Sequence, residues 1–144
     1  MMTSSHEKPL TLLLVEDEPD HAQVFQAMLA RVRMPPPAVS WARTLESALE
    51  RLGGGGVDLV LLDLTLSDSL GLETFDRVRA ASPAVPVVLL TSIDDDAVVR
   101  AARRKGAAGF LAKHRLTLES LGRAIEAASG SGAPEPPPRM SAQA

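Results

Sequence analysis

Short apolar runs recur along the chain and are separated by polar or small residues. Each run is four to eight residues long and nearly continuous, which is typical of strands buried on both faces of a sheet. The runs predict strands over Leu10–Glu16, Val39–Ala42, Asp58–Leu64, Val85–Ser92 and Gly109–Lys113.

Between these runs, apolar residues return every three or four positions, which is the spacing of one helix face. Phe25, Met28 and Leu29 share this spacing, Pro19 suits a first helical turn, and Thr44 is a good N-cap. The spacing predicts helices over Pro19–Arg33, Leu45–Leu52, Leu72–Ala80, Asp94–Lys105 and Thr117–Ala128.

Strands that alternate with helices indicate right-handed crossovers and a parallel sheet covered on both faces. The pattern therefore predicts an α/β fold, a doubly wound three-layer sandwich with five strands and five helices. In such folds ligands bind outside the carboxyl ends of the strands, where the strand order reverses. The residues that follow each strand are the first place to look for chemistry.

The two ends of the chain differ from this regular middle. Residues 1–9 are polar, and residues 129–144 read SGSGAPEPPPRMSAQA, a composition that cannot bury enough apolar surface to fold. We expect a flexible N-terminus over 1–9, one domain over 10–128 and a disordered Gly/Ser/Pro-rich tail or linker over 129–144.

Composition removes several classes of function. The 144 residues include no cysteine, so disulfides and thiolate chemistry are excluded, and the net charge of −3 does not indicate DNA binding. No apolar run approaches the roughly 20 residues that span a bilayer, and no signal peptide begins the chain. We expect a soluble, cytoplasmic protein without membrane contact.

Polar side chains follow four of the predicted strands. Glu16 and Asp17 follow the first, Asp63 ends the third, Thr91 ends the fourth and Lys113 ends the fifth. Clustered carboxylates repel unless a cation joins them, and hard oxygen ligands suit Mg²⁺ or Mn²⁺. A lysine and a hydroxyl suit phosphoryl oxygens, which leaves Asp63 as the candidate nucleophile for an acyl phosphate.

Each of these residues also has an ordinary structural interpretation. An acidic pair favours a helix N-terminus, an aspartate favours a turn, a threonine caps, and a lysine is usually a solvated surface residue. Only the combination at neighbouring strand ends points to phosphoryl chemistry.

Four segments carry a resemblance to the receiver domain of two-component response regulators, in particular its single-domain, chemotaxis-regulator-like form. They are LLLVEDEPD at Leu12–Asp20, DLVLLDLTLSDSLGLE at Asp58–Glu73, VPVVLLTS at Val85–Ser92 and GAAGFLAK at Gly106–Lys113. The resemblance covers roughly residues 10–128 and implies a flavodoxin-like sheet of strand order 2-1-3-4-5.

The resemblance also implies roles for individual residues. Glu16, Asp17, Asp63 and the carbonyl of Thr65 would hold Mg²⁺ or Mn²⁺, with Asp63 as phosphoacceptor. Thr91 and Lys113 would hold the phosphoryl oxygens, and Phe110 would change rotamer together with Thr91. Gly71 would open the third helix.

These roles imply a signalling switch and not a turnover enzyme. A sensor histidine kinase or phosphotransfer protein would phosphorylate Asp63 and reshape the face made by helix four, strand five and helix five. That face would bind a partner or a second copy of the chain.

Three positions depart from the family pattern. His114 and Ser67 stand where proline is usual, so we expect a trans bond after Lys113, a shifted loop there and a looser loop after Asp63. Ile93 would exclude the hydrolytic water and slow dephosphorylation. We interpret His21 and His114 as solvated side chains and not as metal ligands or phosphorelay groups. We interpret the basic residues of the fourth helix as a solvated or partner-facing surface.

Several alternative functions remain open at this point. One alternative is that the chain is the receiver half of a longer regulator. Another is that it is a phosphate-independent pseudo-receiver that binds a partner. A phosphatase-type hydrolase would carry a second aspartate where Thr65 stands, and a nucleotide-binding loop would follow a strand, whereas Gly53–Gly56 follows a helix.

Overall fold

The computed structural model describes residues 9–92 and 96–129, and within them the predicted α/β fold is confirmed. The five parallel strands of the main sheet are β1 (Thr11–Val15), β2 (Ala38–Ala42), β3 (Leu59–Asp63), β4 (Val87–Thr91) and β5 (Gly109–Ala112). Their spatial order is β2-β1-β3-β4-β5, which is the predicted 2-1-3-4-5.

A helix follows each strand. The helices are α1 (Pro19–Leu29), α2 (Leu45–Gly53), α3 (Leu72–Ala81), α4 (Asp96–Arg104) and α5 (Leu118–Ser129). Gly71 precedes α3 with a φ of 73°, a left-handed conformation that favours glycine and supports its predicted place.

The core lies in two layers because side chains alternate across each strand. On one face Leu13 and Leu62 pack beneath α2, α3 and α4. On the other face Leu12 and Leu61 pack beneath α1 and α5. Strand residues are therefore apolar on both sides, which explains the continuous runs in the sequence.

The first helix ends earlier than its apolar spacing predicts. It was expected to reach Arg33 and ends at Leu29. Beyond Leu29 the chain closes in a tighter turn, in which the Arg31 N–H donates to the Met28 carbonyl and the Val32 N–H to the Leu29 carbonyl. Pro35, Pro36 and Pro37 follow and exclude a helix longer than the predicted one.

Two loops at the carboxyl edge are more regular than predicted. Thr65–Leu66 pairs with Ser69–Leu70 in a small antiparallel hairpin around Ser67, where a looser loop was expected. The fifth strand ends at Ala112, so that Lys113 begins a short 3-10 helix, Lys113–Arg115, instead of ending the strand.

Some predictions lie outside the described residues. They concern residues 1–8, the tail from residue 130 onward, Ile93, and the predicted start of the fourth helix at Asp94. Across the described ranges, every helix is too short or too polar to cross a bilayer.

Candidate functional site

The carboxyl edge of the sheet brings the predicted polar residues together. Glu16 and Asp17 leave β1, Asp63 ends the neighbouring β3, and Lys113 follows β5. Although Glu16 and Lys113 are 97 positions apart in the chain, their side chains are in contact. The topology, rather than any local motif, therefore builds the site.

Lys113 joins two carboxylates. Its Nζ donates to Glu16 Oε1 at 2.8 Å and to Asp63 Oδ2 at 2.9 Å. The peptide bond to His114 is trans, as expected. The lysine nevertheless reaches the site, so proline is not required at position 114 for this contact.

Burial governs the charge of these groups. Glu16 is wholly inaccessible to solvent, and Asp63 is 3% exposed. Burial raises the pKa of the Glu16 carboxyl, and nearby Asp63 adds to the rise, while Lys113 only partly offsets it. Burial would lower the pKa of Lys113, but its hydrogen bonds and charge interactions with both carboxylates outweigh burial and raise that pKa.

Three carboxylates form a candidate cation site. Glu16, Asp17 and Asp63 can each offer an oxygen, and these atoms lie within 4.8 Å of one another. An all-oxygen set of this kind fits Mg²⁺ or Mn²⁺, since it includes no nitrogen or sulfur ligand that would favour a softer metal.

The loop after Asp63 is tied to its side chain. The Thr65 N–H donates to Asp63 Oδ1 at 2.8 Å. Both oxygens of Asp63 are therefore engaged, one by a backbone amide and the other by Lys113. The contact holds the Thr65 backbone beside the carboxylate cluster.

Thr91 and Phe110 lie on the same face of the sheet. Thr91 is the last residue of β4 and is 3% exposed. Phe110 is half-buried, pairs with Leu89 in the register of β4 and β5, and packs against the core beneath α4. Because Thr91 stands two residues after Leu89, its side chain points to that face too.

Two hydrogen-bonding residues near the site were not predicted from the sequence. Trp41 donates from its indole Nε1 to the carbonyl of Glu16 at 2.7 Å. Asp68, in the hairpin after Asp63, accepts from the backbone amides of Leu45 and Glu46 at the start of α2. A tryptophan at the edge of the sheet and an aspartate in a turn give no periodic signal of such contacts.

The two histidines near the site occupy its edge. His21 is half-exposed, and its Nδ1 lies 3.7 Å from Glu16 Oε2. His114 is exposed and belongs to the 3-10 turn after β5.

Comparison with known proteins agrees with this architecture. The sequence model of the response regulator receiver domain matches residues 12–126. The swarming motility regulation protein RssB of Serratia marcescens is 36% identical over 104 residues, which are 72% of this chain and 46% of RssB. The nitrate/nitrite response regulator protein NarL of Escherichia coli (strain K12) is 30% identical over 128 residues, 88% of this chain and 58% of NarL. The chain thus spans about half the length of these relatives.

Solved structures show the same fold. A two-component response regulator of the LuxR family from Aurantimonas sp. SI85-9A1 superposes with a TM-score of 0.76 at 25% identity and covers 93% of this chain and 94% of that one. A CheY-like receiver domain protein from Methanospirillum hungatei JF-1, 18% identical, superposes at 0.72 over 83% of this chain and 92% of its own and supports the fold alone. The chain belongs to the response regulator receiver domain family, whose members are regulatory domains of two-component systems.

Proposed function

We propose that this chain accepts a phosphoryl group on Asp63 from the phosphohistidine of a sensor histidine kinase or phosphotransfer protein. The observation that carries the proposal is the position of Lys113, whose Nζ contacts both Asp63 and Glu16 at the edge of a three-carboxylate cluster. A structural ion pair would need only one carboxylate. A cluster of three has excess negative charge, which a divalent cation would balance.

In the proposed step a carboxylate oxygen of Asp63 attacks phosphorus. The new O–P bond forms as the P–N bond to histidine breaks, and the imidazole leaves with the electron pair and takes up a proton. Lys113 offers positive charge to the transferred group and Thr91 offers a hydroxyl. Bound to Glu16, Asp17, Asp63 and the Thr65 carbonyl, Mg²⁺ or Mn²⁺ would neutralise the charge of the phosphoryl oxygens.

The same proposal includes a change of surface. Phosphorylation would draw Thr91 toward the new group and alter the packing of Phe110, which shares its face of the sheet. Helix α4 lies over that face and buries only Ala102 completely among its residues. The surface of α4, β5 and α5 is therefore the proposed contact for a downstream partner or a second copy. The proposed place of action is the cytoplasm, and the chain would act as a switch without turnover of a substrate.

Acetyl phosphate with Mg²⁺ tests the proposal. The native chain should gain the mass of one phosphoryl group, and Asp63→Asn should gain none. Asp58→Asn is the matched control, because Asp58 lies at the opposite end of the sheet, where it accepts from Thr11 N–H. Equal labelling of the Asp63→Asn variant would refute the assignment.

Beryllofluoride tests the switch without covalent chemistry. With Mg²⁺ present it should shift the NMR resonances of Phe110 in the native chain and leave them unchanged in Asp63→Asn. A native spectrum that does not move would favour a phosphate-independent binding module instead.

A longer regulator is the second candidate, because RssB and NarL are each about twice the matched length. The proposed chemistry would be the same, and an output domain would supply the response. The full open reading frame distinguishes the two candidates.

A further inference from the structure

Glu16 lies one residue beyond the end of β1, but both of its backbone groups are held by β2. Its N–H donates to the carbonyl of Ala42 at 3.0 Å. Its carbonyl accepts from the indole Nε1 of Trp41 at 2.7 Å. The indole thus continues the hydrogen bonding of the strand pair by one residue with a side-chain donor in place of a backbone N–H.

The donor itself is braced from outside. Trp41 is 38% exposed and lies on β2, the edge strand of the sheet. The guanidinium of Arg43 lies over its ring, 5.5 Å from the centroid. This cation–π contact adds to the hydrogen bond in favouring a ring orientation in which the N–H donates to the Glu16 carbonyl before any ligand binds.

This contact fixes the peptide plane from which both members of the acidic pair depart. The Glu16 carbonyl belongs to the peptide bond between Glu16 and Asp17. Lys113 joins Glu16 to Asp63, but repulsion from these two carboxylates would favour turning Asp17 away when no divalent cation is present. A cation that needs near-ideal ligand geometry, such as Mg²⁺, binds more tightly when that rearrangement is already prevented.

We propose that Trp41 is a positioning residue for the carboxylate cluster. Its contact with the Glu16 carbonyl orients Glu16 and Asp17 for a divalent cation, and its indole senses that cation. The inference rests on the proposed function, because it requires the cluster to bind a metal. Trp41 is the single tryptophan of the chain, so tryptophan fluorescence reports on the surroundings of this one residue.

The binding test uses Mn²⁺ and follows the loss of the free-ion EPR signal. Trp41→Phe keeps the ring and removes the N–H donor, and it should weaken Mn²⁺ binding about fivefold, the value expected for one neutral hydrogen bond. Asp58→Asn is the control, because Asp58 accepts from the Thr11 N–H at the opposite end of the sheet, and this variant should bind Mn²⁺ within about twofold of the native chain.

A second readout separates positioning from general damage. In acetyl phosphate labelling, Trp41→Phe should need more Mg²⁺ for half-maximal rate but reach the native rate at saturation. A lower maximal rate with unchanged Mg²⁺ dependence would overturn the inference, as would native Mn²⁺ affinity in Trp41→Phe. A native chain that binds no Mn²⁺ would overturn the proposed cation site itself.

Native fluorescence decides the question if Trp41→Phe fails to fold. Mg²⁺ should change the Trp41 emission saturably, with the same midpoint as displacement of Mn²⁺, and Asp17→Asn should weaken both together. Emission that stays constant while Mn²⁺ is displaced would overturn the inference.

Discussion

Helices α2 and α4 are both nine residues long and cover the same face of the sheet, but they are attached differently. Helix α2 buries Leu45, Ala48 and Leu52. Helix α4 buries Ala102, while Val98 packs against the core only in part. The free energy that holds α4 to the sheet is therefore much the smaller of the two.

Side-chain hydrogen bonds also hold the amino end of α2 and the carboxyl end of α4. At the start of α2, Asp68 accepts the amides of Leu45 and Glu46, and the Thr44 hydroxyl accepts that of Ser47, so all three leading N–H groups are bonded. This network ties α2 to the loop that follows Asp63.

The carboxyl end of α4 is held by a half-buried side chain from α3. Arg79 donates to the carbonyls of Lys105 and Gly106. Gly106 has a φ of 101°, and a Cβ there would collide with the Arg79 guanidinium. The attachment thus rests on a few hydrogen bonds in place of buried apolar area.

Because α4 is the more weakly attached helix, we expect it to be the part of the domain that responds to a change at the site. Segments that move in switching come from the weakly attached parts of a structure. Helix α2 and the carboxylate cluster are firmly held, and we expect α4 to move relative to them. Four sets of substitutions test this difference.

Truncation of a core-facing apolar residue in each helix, buried in α2 and half-buried in α4, gives the largest expected effect. Leu52→Ala should lower the free energy of unfolding by about 3 kcal/mol, because it opens a cavity under α2. Val98→Ala should cost about 1 kcal/mol, since its site is already partly solvated. Urea denaturation measures both losses of unfolding free energy, and each loss is divided by the number of carbon atoms removed before the two are compared. Equal losses per carbon would show that α4 is packed as firmly as α2.

Substitution of two lysines extends the comparison to ion pairs. Lys113→Met should cost about 2 kcal/mol, because it leaves Glu16 and Asp63 buried without their cation, although 13% of the lysine side chain is exposed. Lys105→Met removes an exposed pair with Asp76 beside α4 and should cost about 0.5 kcal/mol or less.

Thermal unfolding with and without Mg²⁺ measures this pair. Mg²⁺ should recover part of the loss in Lys113→Met, since it can replace the missing positive charge, and should leave Lys105→Met unaffected. A Lys113→Met variant as stable as the native chain would contradict the view that the buried carboxylates need compensation.

The Asp68 cap predicts a dependence on pH. Hydrogen bonds from the amides of Leu45 and Glu46 lower the pKa of Asp68 below its ordinary value. Its contribution is thus present above the unfolded-state pKa, about 4, and is lost as pH falls through the lower folded-state value.

Asp68→Ala should therefore cost about 1 kcal/mol at pH 7, with the difference from the native chain shrinking below pH about 4. Urea titrations at several pH values measure it, and Glu46→Gln, on the exposed first turn of α2, serves as the control. A difference that grows in acid would reverse the predicted sign.

The same contrast shows what the sequence could predict. The apolar runs predicted the parallel sheet, and the polar residues that end them predicted the meeting of Glu16, Asp63 and Lys113, because topology brings strand ends together. The strand order came from the resemblance to receiver domains. The contacts of Trp41 and Asp68 were missed, because each joins a side chain to a distant backbone group. The end of α1 at Leu29 was also missed, because the apolar spacing continues to Val32 and no helix-breaking residue stands before Pro35.

Loss of the Arg79 contact should have the smallest effect on global stability and the most local one. Arg79→Met keeps an apolar stem and removes the guanidinium, whose carbon lies 5.7 Å from the Phe75 ring centroid and whose Nη1 donates to the carbonyls of Lys105 and Gly106. Unfolding free energy should fall by about 0.5 kcal/mol, because exposed hydrogen bonds contribute little.

Hydrogen exchange should nonetheless report the change within α4. Its amides should exchange a few-fold faster in Arg79→Met, while those of α2 keep native rates, since only the α4 attachment is weakened. Arg77→Met, which alters an exposed arginine on the same helix α3, is the matched control and should leave α4 unchanged. If exchange accelerated equally in α2 and α4, the two helices would open together, and α4 could not move as a separate unit.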